Sequence, residues 1–399
     1  MKRILIIGCG IEPVISANVI CVQNILNAIK EPDWEIHFMC DGESQRDFQL
    51  DNIFYHVSER CLSTQKKCIL RRLFALPETE FEEAERKTKQ AIALTEKFHF
   101  QYVVGLNCPF SNIEASLKLK KKWPSIFVIG YYLDSLEGLS QMKGIKRKVR
   151  DFFAYSGEHK ALKKLDLIFM PVATKPIYLA SKYRDIQQKL TFLEFPSFVS
   201  GGLSIENTHM TEKTNLKLVY IGKLSKDYRN PICLLKALDS SVDGQMKVKV
   251  DIYGQCDDSL LSECSSFRNV CVNFKGSVSH DAVCDIYKDA DAVLNISNKN
   301  QYVVPSKIFE IAAQYKPMIV LVSNPKDYAL KYYKRYEGAH IVYEYMNLEE
   351  QVPSLRGFLK SLPTMQLHKD VIDATFAENT PSYVGKTILN AIKNLNHTN

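Results

Sequence analysis

The chain of 399 residues is long enough for two domains, each with a full hydrophobic core. Its composition, 46% hydrophobic and 24% charged, is that of a globular protein, and no apolar run reaches the 18 residues that predict a membrane-spanning helix. The formal net charge is +7, and residues 1–200 carry most of it, with 29 Lys and Arg against 23 Asp and Glu. No nucleic-acid motif accompanies this charge, which argues against nucleic acid as a partner.

In the first half of the chain, apolar strand-like runs alternate with helical patterns. Strands are predicted at 3–8, 35–40, 101–105, 126–132 and 167–170, and helices at 13–30, 78–98, 111–122 and 157–164. Residues 193–215 then carry Pro, paired Gly, Ser, Asn and Thr with little periodicity, which is typical of a linker.

After this segment the alternation resumes. Strands are predicted at 216–222, 247–253, 271–274, 292–296, 317–322 and 340–343, and helices at 230–238, 258–265, 280–288, 305–314, 325–335, 348–361 and roughly 381–395. Such alternation predicts an α/β protein whose parallel sheets are covered by helices on both faces.

The predicted architecture is two Rossmann-like domains facing one another across a cleft. The first domain covers 1–197, a linker covers 198–215, and the second domain covers 216–380. The C-terminal helix and tail, 381–399, are expected to pack back on the first domain. Because ligands of such folds bind at the carboxyl ends of the strands, we expect the site to lie in the cleft.

The N-terminus and the cysteines bear on the compartment. The apolar run ILIIG is too short for the apolar region of a signal peptide. The eleven cysteines include no CxxC pair of the kind that binds zinc, and we expect most of them to be reduced and buried. These observations predict a cytoplasmic protein.

The first strand ends in a glycine turn, Gly8-Cys9-Gly10-Ile11-Glu12-Pro13. It differs from the dinucleotide fingerprint G-x-G-x-x-G, because Pro13 stands where the third glycine allows helix and strand to pack closely. Gly8 and Gly10 still predict a tight turn at which backbone can approach a ligand. We interpret this turn as a substrate loop that binds no dinucleotide.

The most informative segment is 290–321, ADAVLNISNKNQYVVPSKIFEIAAQYKPMIVL. A buried strand ends in a polar loop, and a Pro-initiated helix follows with Ser306, Lys307 and Glu310 in its first two turns. Free N–H groups at a helix start bind anions, Lys307 adds a cation, and Glu310 can accept hydrogen bonds from a diol such as a ribose. The alternative is a capped surface helix that Glu310 merely decorates. The residues by themselves leave both open.

The stretch VPSKIFEIAAQYKPMIV resembles the donor-binding block of GT-B glycosyltransferases, particularly the bacterial capsule and exopolysaccharide enzymes near glycosyltransferase family 4. Three further segments agree with that family in order and spacing: 218–238, 250–255 and 272–297. In the first half the resemblance is looser and is carried by 158–172 and 193–198.

The resemblance implies a donor site in the second domain. Glu310 would bind the donor ribose, and Ser306 and Lys307 would offer backbone amides to the diphosphate. Lys223 and Arg229 would hold the diphosphate and neutralise the leaving group, which makes them the implied catalytic cations. The implied donor site is completed by Gly222, Gly254, Gly276 and Val278, the last two flanking the nucleobase.

The resemblance also bears on the sugar, the acceptor and the metal. Many members carry Glu-x7-Glu, and Tyr302 stands here in place of the first Glu, which meets the donor sugar. Gly8 and Gly10 would line the acceptor side. Asp134 follows a predicted strand and would orient an acceptor hydroxyl or take its proton, the alternative being a turn or capping residue. With no Asp-x-Asp motif, no metal or cofactor is expected, and basic groups would stabilise the leaving diphosphate.

Basic stretches interleaved with apolar residues mark the first domain, at 66–76 and 143–153, and a further one lies at 118–123. They favour an anionic membrane surface or a phosphate-bearing substrate, with the protein peripheral on the inner face of the cell membrane. A solvated helix face is the alternative.

Together these features predict a hexosyltransferase (EC 2.4) of capsule or polysaccharide biosynthesis. It would move a sugar from a UDP-sugar to a lipid-linked or nascent polysaccharide acceptor with retention. One alternative is a UDP-sugar 2-epimerase of the same fold, which needs no acceptor. Another is a non-catalytic subunit that activates a partner transferase, against which Lys223, Arg229 and Glu310 argue.

Overall fold

The computed structural model describes residues 1–8, 17–29, 33–41, 53–58, 81–107, 109–134, 144–200, 215–227, 229–242, 244, 246–264 and 266–395. The chain divides into two compact units. Unit 1 comprises Met1–Pro196 and Pro381–Asn399, and unit 2 comprises Ser197–Thr380. Each is built on one parallel sheet with flanking helices, as the alternating pattern predicts.

The sheet of unit 1 has seven strands in the order β3-β2-β1-β4-β5-β6-β7, and its paired strands run parallel. They are β1 (Lys2–Ile7), β2 (Trp34–Asp41), β3 (Ile53–Ser58), β4 (Tyr102–Asn107), β5 (Phe127–Tyr132), β6 (Leu167–Pro171) and β7 (Leu190–Leu193). In the central register Ile4 pairs with Ile36 on one side and Tyr102 on the other. Central parallel strands are covered on both faces, which explains their nearly continuous apolar runs.

The helices of unit 1 come from both ends of the chain. They are α1 (Ala17–Ala28), α2 (Phe81–Phe98), α3 (Ser111–Lys122), α4 (Gly144–Lys164), α5 (Lys175–Tyr178) and, after unit 2, α13 (Pro381–Asn394). Ile388 and Ile392 of α13 join Ile25 of α1 and the apolar face of the sheet in one core. The expected return of the C-terminal helix to the first domain is thereby confirmed.

The sheet of unit 2 has six parallel strands in the order β10-β9-β8-β11-β12-β13. They are β8 (Asn215–Ile221), β9 (Lys247–Tyr253), β10 (Val270–Gly276), β11 (Ala292–Ile296), β12 (Met318–Val322) and β13 (Ala339–Tyr343). The helices are α6 (Ile232–Ser241), α7 (Asp258–Cys264), α8 (His280–Lys288), α9 (Lys307–Ala313), α10 (Leu330–Tyr333), α11 (Leu348–Ser361) and α12 (Lys369–Thr375).

Short 3₁₀ turns complete the described structure, at Val172–Thr174, Ser181–Tyr183, Gln187–Lys189, Leu362–Thr364 and Ala377–Asn379.

Sequence patterns missed the elements with the least apolar cover. β3 is an edge strand on which Phe54 and Val57 are exposed, and β7 is an edge strand of only four residues, Leu190–Leu193, just before the predicted linker. α12 is a single seven-residue helix, and α4 begins at Gly144, well before the predicted 157. Of the predicted helix 325–335 only Leu330–Tyr333 is α-helical.

Candidate active site

In each sheet the strand order reverses once, between β1 and β4 in unit 1 and between β8 and β11 in unit 2. At such a switch point the loops that follow the two central strands diverge, and the crevice between them is where open α/β sheets bind ligands. In unit 2 the two loops are joined by Arg229 after β8, whose Nη2 donates to Asn298 Oδ1 after β11 at 3.3 Å.

Arg229 is fixed in place while part of its guanidinium is unsatisfied. Its backbone exchanges two hydrogen bonds with Ser225, at 3.0 and 3.2 Å. Its Nε is buried and has no hydrogen-bond partner among the residues that the structure describes. A buried donor without an acceptor is costly, so this N–H is suited to an acceptor that a ligand brings. Lys223 is exposed and forms no ion pair within the described residues.

Glycines shape the carboxyl edge of the neighbouring strands. The N–H of Gly222 donates to Tyr253 O and the N–H of Gly254 donates to Gly276 O, both at 2.8 Å. Gly254 has φ +125°, and a Cβ there would lie 2.2 Å from the carbonyl oxygen of Gly222. Gly276 has φ +73° and is exposed, with nothing within 4 Å of an added Cβ. The close approach requires glycine at 254, and the open space above Gly276 can receive a flat group.

The helix start in the donor block forms a small polar network. Ser306 Oγ donates to Glu310 Oε1 at 3.2 Å, and Lys307 Nζ donates to Glu310 Oε2 at 3.3 Å. Ser306 occupies the N-cap position of α9 with αR dihedral angles, and its side chain accepts no hydrogen bond from a backbone N–H of the first turn. The N–H groups of Ile308 and Phe309 donate to Pro305 and Ser306, at 3.4 and 3.0 Å. This helix start therefore offers a phosphate fewer free N–H groups than a helix whose first amides are all unbonded. To bind a diol, Glu310 must exchange its bonds to Ser306 and Lys307 for bonds to the diol hydroxyls.

The implied donor residues form three groups in unit 2: Arg229 with Asn298, the glycine turns, and Glu310 with Ser306 and Lys307. No hydrogen bond or ion pair joins one group to another in the described part of the chain. Val278 is half-buried in the loop between β10 and α8. Tyr302 is half-buried in the loop after β11, and its N–H donates to Asn300 Oδ1 at 3.0 Å.

In unit 1 the implied acceptor residues lie at the same edge of their sheet, but less of that edge is described. Gly8 is buried, and a Cβ there would lie 2.6 Å from the Phe38 ring, so packing alone accounts for this glycine. Gly10 lies outside the described residues. Asp134 is half-buried two residues beyond β5, and its carbonyl accepts a hydrogen bond from Asn107 Nδ2 at 3.0 Å.

The proposed membrane-binding stretches are only partly described. Residues 66–76 lie outside the described part, and 144–153 form the first turns of α4, where Lys148 and Phe152 are exposed. No described helix is both long enough and apolar enough to cross a bilayer. The described residues also contain no group of three or more His, Cys, Asp or Glu side chains placed to hold a metal ion.

A buried polar cluster at the end of β11 was not predicted. It consists of Asn295, Ser297, Asp327 and Tyr333, each no more than 4% exposed, and we call it the Asp327 cluster. Ser297 Oγ donates to Asp327 Oδ2, and Asn295 Nδ2 donates to the Tyr333 hydroxyl at 3.2 Å. Burial raises the pKa of Asp327 to about 6, against the opposing effect of its hydrogen bonds. The available signal was polar residues directly after two buried apolar strands.

Solved structures share this architecture over the whole chain. One, titled lipopolysaccharide outer core galactosyltransferase WaaB, has a TM-score of 0.58 at 14% identity and covers 98% of this chain and 99% of its own. A glycosyltransferase from Rickettsia africae has a TM-score of 0.62 at 12% identity and covers 100% and 99%. A protein described as a UDP-N-acetylglucosamine 2-epimerase from Listeria monocytogenes has a TM-score of 0.57 at 12% identity and covers 99% and 96%.

The chain has the GT-B fold. No protein-family model matches it, and a search of curated proteins finds no match. The predicted fold class, two Rossmann-like domains, is therefore confirmed. At identities of 10–14% the likeness establishes the fold, and the activity has to be argued from the site.

Proposed function

We propose that the protein is a glycosyltransferase that moves a hexosyl group from a UDP-sugar to a lipid-linked or nascent polysaccharide acceptor, with retention at the anomeric carbon. The observation that carries this proposal is the buried Nε of Arg229 at the switch point of unit 2, which has no hydrogen-bond partner among the described residues. A diphosphate oxygen is an acceptor of the charge and geometry that a guanidinium binds best.

The site suits a reaction in which charge develops on a leaving diphosphate. The bond between the anomeric carbon and the diphosphate oxygen breaks, its electron pair leaves with the nucleotide, and an acceptor hydroxyl bonds to that carbon. Arg229 and Lys223 stabilise the developing charge, and no metal or cofactor is needed in this role. Glu310 binds the ribose by exchanging its bonds to Ser306 and Lys307 for the diol.

The acceptor side of the proposal rests on unit 1. Asp134 lies just beyond β5, where a carboxylate can orient the attacking hydroxyl, whose proton passes to Asp134 or to the departing diphosphate. The basic residues of α4 and 66–76 would hold the protein at an anionic membrane that carries the acceptor.

One other activity has a specific observation in its favour. The structure from Listeria monocytogenes that is described as a 2-epimerase has a TM-score of 0.57, slightly below the 0.58 and 0.62 of the two transferases. An epimerase would convert its UDP-sugar without an acceptor, so product analysis separates the two. Epimerised UDP-sugar formed in the absence of acceptor would replace the transferase proposal.

Calorimetry with UDP and GDP on Arg229→Ala tests the nucleotide site. Losing a charge-assisted hydrogen bond from a buried donor costs about 1.5–3 kcal/mol, so affinity for UDP should fall about ten- to hundred-fold. Arg268→Ala is the matched control, since Arg268 is an exposed arginine of the same unit, away from the switch point. Unchanged affinity in Arg229→Ala, or no binding of either nucleotide by the wild type, would contradict the proposal.

A further inference from the structure

The Asp327 cluster adjoins the loop after β11, which contacts Arg229 through Asn298. Ser297 is adjacent in sequence to Asn298, whose Oδ1 accepts the Arg229 Nη2 hydrogen bond at 3.3 Å. Asn298 is held in turn by its Nδ2, which donates to Val303 O at 3.1 Å. The chain of contacts therefore runs from Asp327 through Ser297 and Asn298 to the guanidinium.

Asp327 also ties the loops after β11 and β12 to each other. Its Oδ1 accepts the N–H of Ala329 at 2.8 Å while its Oδ2 accepts the Ser297 hydroxyl. Nearby, the N–H of Tyr328 donates to Gln301 O at 3.0 Å, which is a second hydrogen bond between the loops after β11 and β12. One carboxylate thus fixes two donors from two different loops.

The carboxylate is poorly explained by stability alone. Asp327 is 4% exposed, and no Lys, Arg or His side chain forms an ion pair with it among the described residues. A buried charge without a partner of opposite sign is unfavourable, and two hydrogen bonds from neutral donors offset that cost only in part.

We propose that Asp327 is a positioning residue: acting through Ser297 and Asn298, it holds the Arg229 guanidinium in the orientation that receives the diphosphate. This inference rests on the proposed function, because it names the ligand of Arg229. Both carboxylate oxygens are used, since Ser297 and Ala329 each donate to this side chain. Asparagine keeps one acceptor for the Ala329 N–H but turns an NH₂ toward Ser297 Oγ, so the Ser297 hydroxyl has to rotate and accept instead of donating, which changes the geometry of the loop that carries Asn298.

The test is turnover of a UDP-sugar by Asp327→Asn, measured in the wild-type and in the Arg229→Ala backgrounds. Misplacing a catalytic group by about 1 Å can cost up to about 10²-fold, so kcat should fall about ten-fold or more, and KM should rise because the same guanidinium binds the nucleotide. In the Arg229→Ala background the same substitution should lower kcat no further, because there is no guanidinium left to position. An equal loss in both backgrounds would overturn the inference.

Asp251→Asn is the matched control. Asp251 is a buried aspartate of the same unit, 2% exposed on β9, and it accepts a hydrogen bond from Asn273 at 3.1 Å. Its substitution should have the same effect on kcat with and without Arg229. Ser297→Ala is a second variant, which removes one donor without introducing another. It should lower kcat by a smaller factor than Asp327→Asn does.

Hydrogen exchange of the ligand-free protein separates this inference from the proposed function. Asp327→Asn should speed amide exchange in 297–303, and Asp251→Asn should not. Unchanged exchange there would overturn the inference even in an active transferase. A wild type that turns over no nucleotide sugar would overturn the proposed function, whereas faster exchange at 297–303 would still support the positioning role.

Discussion

Two buried titratable clusters, one in each unit, differ in where they lie in their sheets. In unit 1, His37 is fully buried in the middle of β2, with Nδ1 bonded to His56 Nε2 at 2.8 Å and Nε2 to Glu35 Oε1 at 2.7 Å. Arg3 completes the set through an ion pair with Glu35 at 3.1 Å. In unit 2, the Asp327 cluster lies beyond the ends of β11 and β12 and adjoins a loop that reaches an unsatisfied guanidinium.

The difference shows how a buried polar group can be assigned a role. Both ring nitrogens of His37 have partners on the same sheet face, and its ring packs 4.3 Å from that of Phe98 and 4.9 Å from that of Phe100. Arg3 Nε also lacks a hydrogen bond among the described residues, but it lies 3.1 Å from Glu35 Oε1, so this cluster contains the opposite charge that its guanidinium needs. Such a cluster is closed on itself and serves the fold. A cluster at the carboxyl edge that leads to an unpartnered donor serves a ligand.

The clusters also respond to pH in opposite directions. Burial lowers the pKa of His37, and it lowers the pKa of His56 to about 4 together with the charges of His37 and Lys97. The unfolded chain therefore binds more protons than unit 1 below pH 6.5, and acid removes stability. Burial raises the pKa of Asp327 instead, so the folded form binds more protons between about pH 4 and pH 6, and acid adds stability to unit 2.

The largest expected effect is the loss of unit 1 stability when His37 of the closed cluster is replaced. His37→Phe keeps a ring among aromatic neighbours but removes the hydrogen bonds to Glu35 and His56, while Glu35 keeps its ion pair with Arg3. A hydrogen bond to a carboxylate contributes about 1.5–3 kcal/mol and a neutral one about 0.5–1.5 kcal/mol, so unit 1 should lose about 2–4 kcal/mol at pH 7. Both tryptophans, Trp34 and Trp123, lie in unit 1, so their fluorescence during urea unfolding reports this change.

His340→Phe is the control for that substitution. His340 lies in β13 of unit 2. Its ring packs 5.0 Å from the Phe358 ring, and its side chain forms no hydrogen bond within the described residues. Its replacement should leave unit 1 unchanged. The loss of unit 1 stability between pH 6.5 and pH 4.5 should be weaker in His37→Phe than in the wild type, and UDP affinity should be unaffected. A fall in UDP affinity would show that the cluster is not closed.

These two clusters mark the limit of what the sequence could predict. Apolar runs predicted the central strands, and the spacing around Glu310 predicted a helix start with Ser306 and Lys307 beside it. The pairing of His37 with His56 depends on β3. This edge strand was not predicted, because its exposed Phe54 breaks the apolar pattern that marks a buried strand. Asp327 and Ser297 are thirty residues apart, and only the parallel pairing of β11 with β12 brings them together.

The next largest expected effect is the loss of UDP affinity in Glu310→Ala, at the carboxyl edge of the unit 2 sheet. The two carboxylate oxygens of Glu310 are bonded to Ser306 and Lys307, yet all three side chains are only half-buried, so water can replace these partners. Glu310→Ala should therefore leave unit 2 stability nearly unchanged. Calorimetry should show UDP affinity lower by about ten- to hundred-fold, the equivalent of about 1.5–3 kcal/mol. An unchanged affinity would make Glu310 a surface residue of α9.

The smallest expected effect is the pH dependence of Asp327→Asn. Asparagine cannot ionise, so the variant avoids the buried charge at pH 7.5 but loses the gain from proton uptake in acid. A pKa raised from 3.8 to about 6 corresponds to about 2 kcal/mol of stability gained by the wild type between pH 7.5 and pH 4.5. Relative to the wild type, Asp327→Asn should thus be more stable at pH 7.5 than at pH 4.5.

Tyr333 and Tyr345 are ionisable groups that act on Asp327 or its neighbours, and burial raises the pKa of each above its usual range, well away from the range of this experiment. The rate at which the buried thiol of Cys264 reacts after urea unfolding reports unit 2 separately from the tryptophans. If the difference between variant and wild type stays constant with pH, Asp327 is not the group that titrates. The unit 2 cluster would then contribute no pH response of its own, and the distinction between a closed cluster and a ligand-facing one would rest on turnover alone.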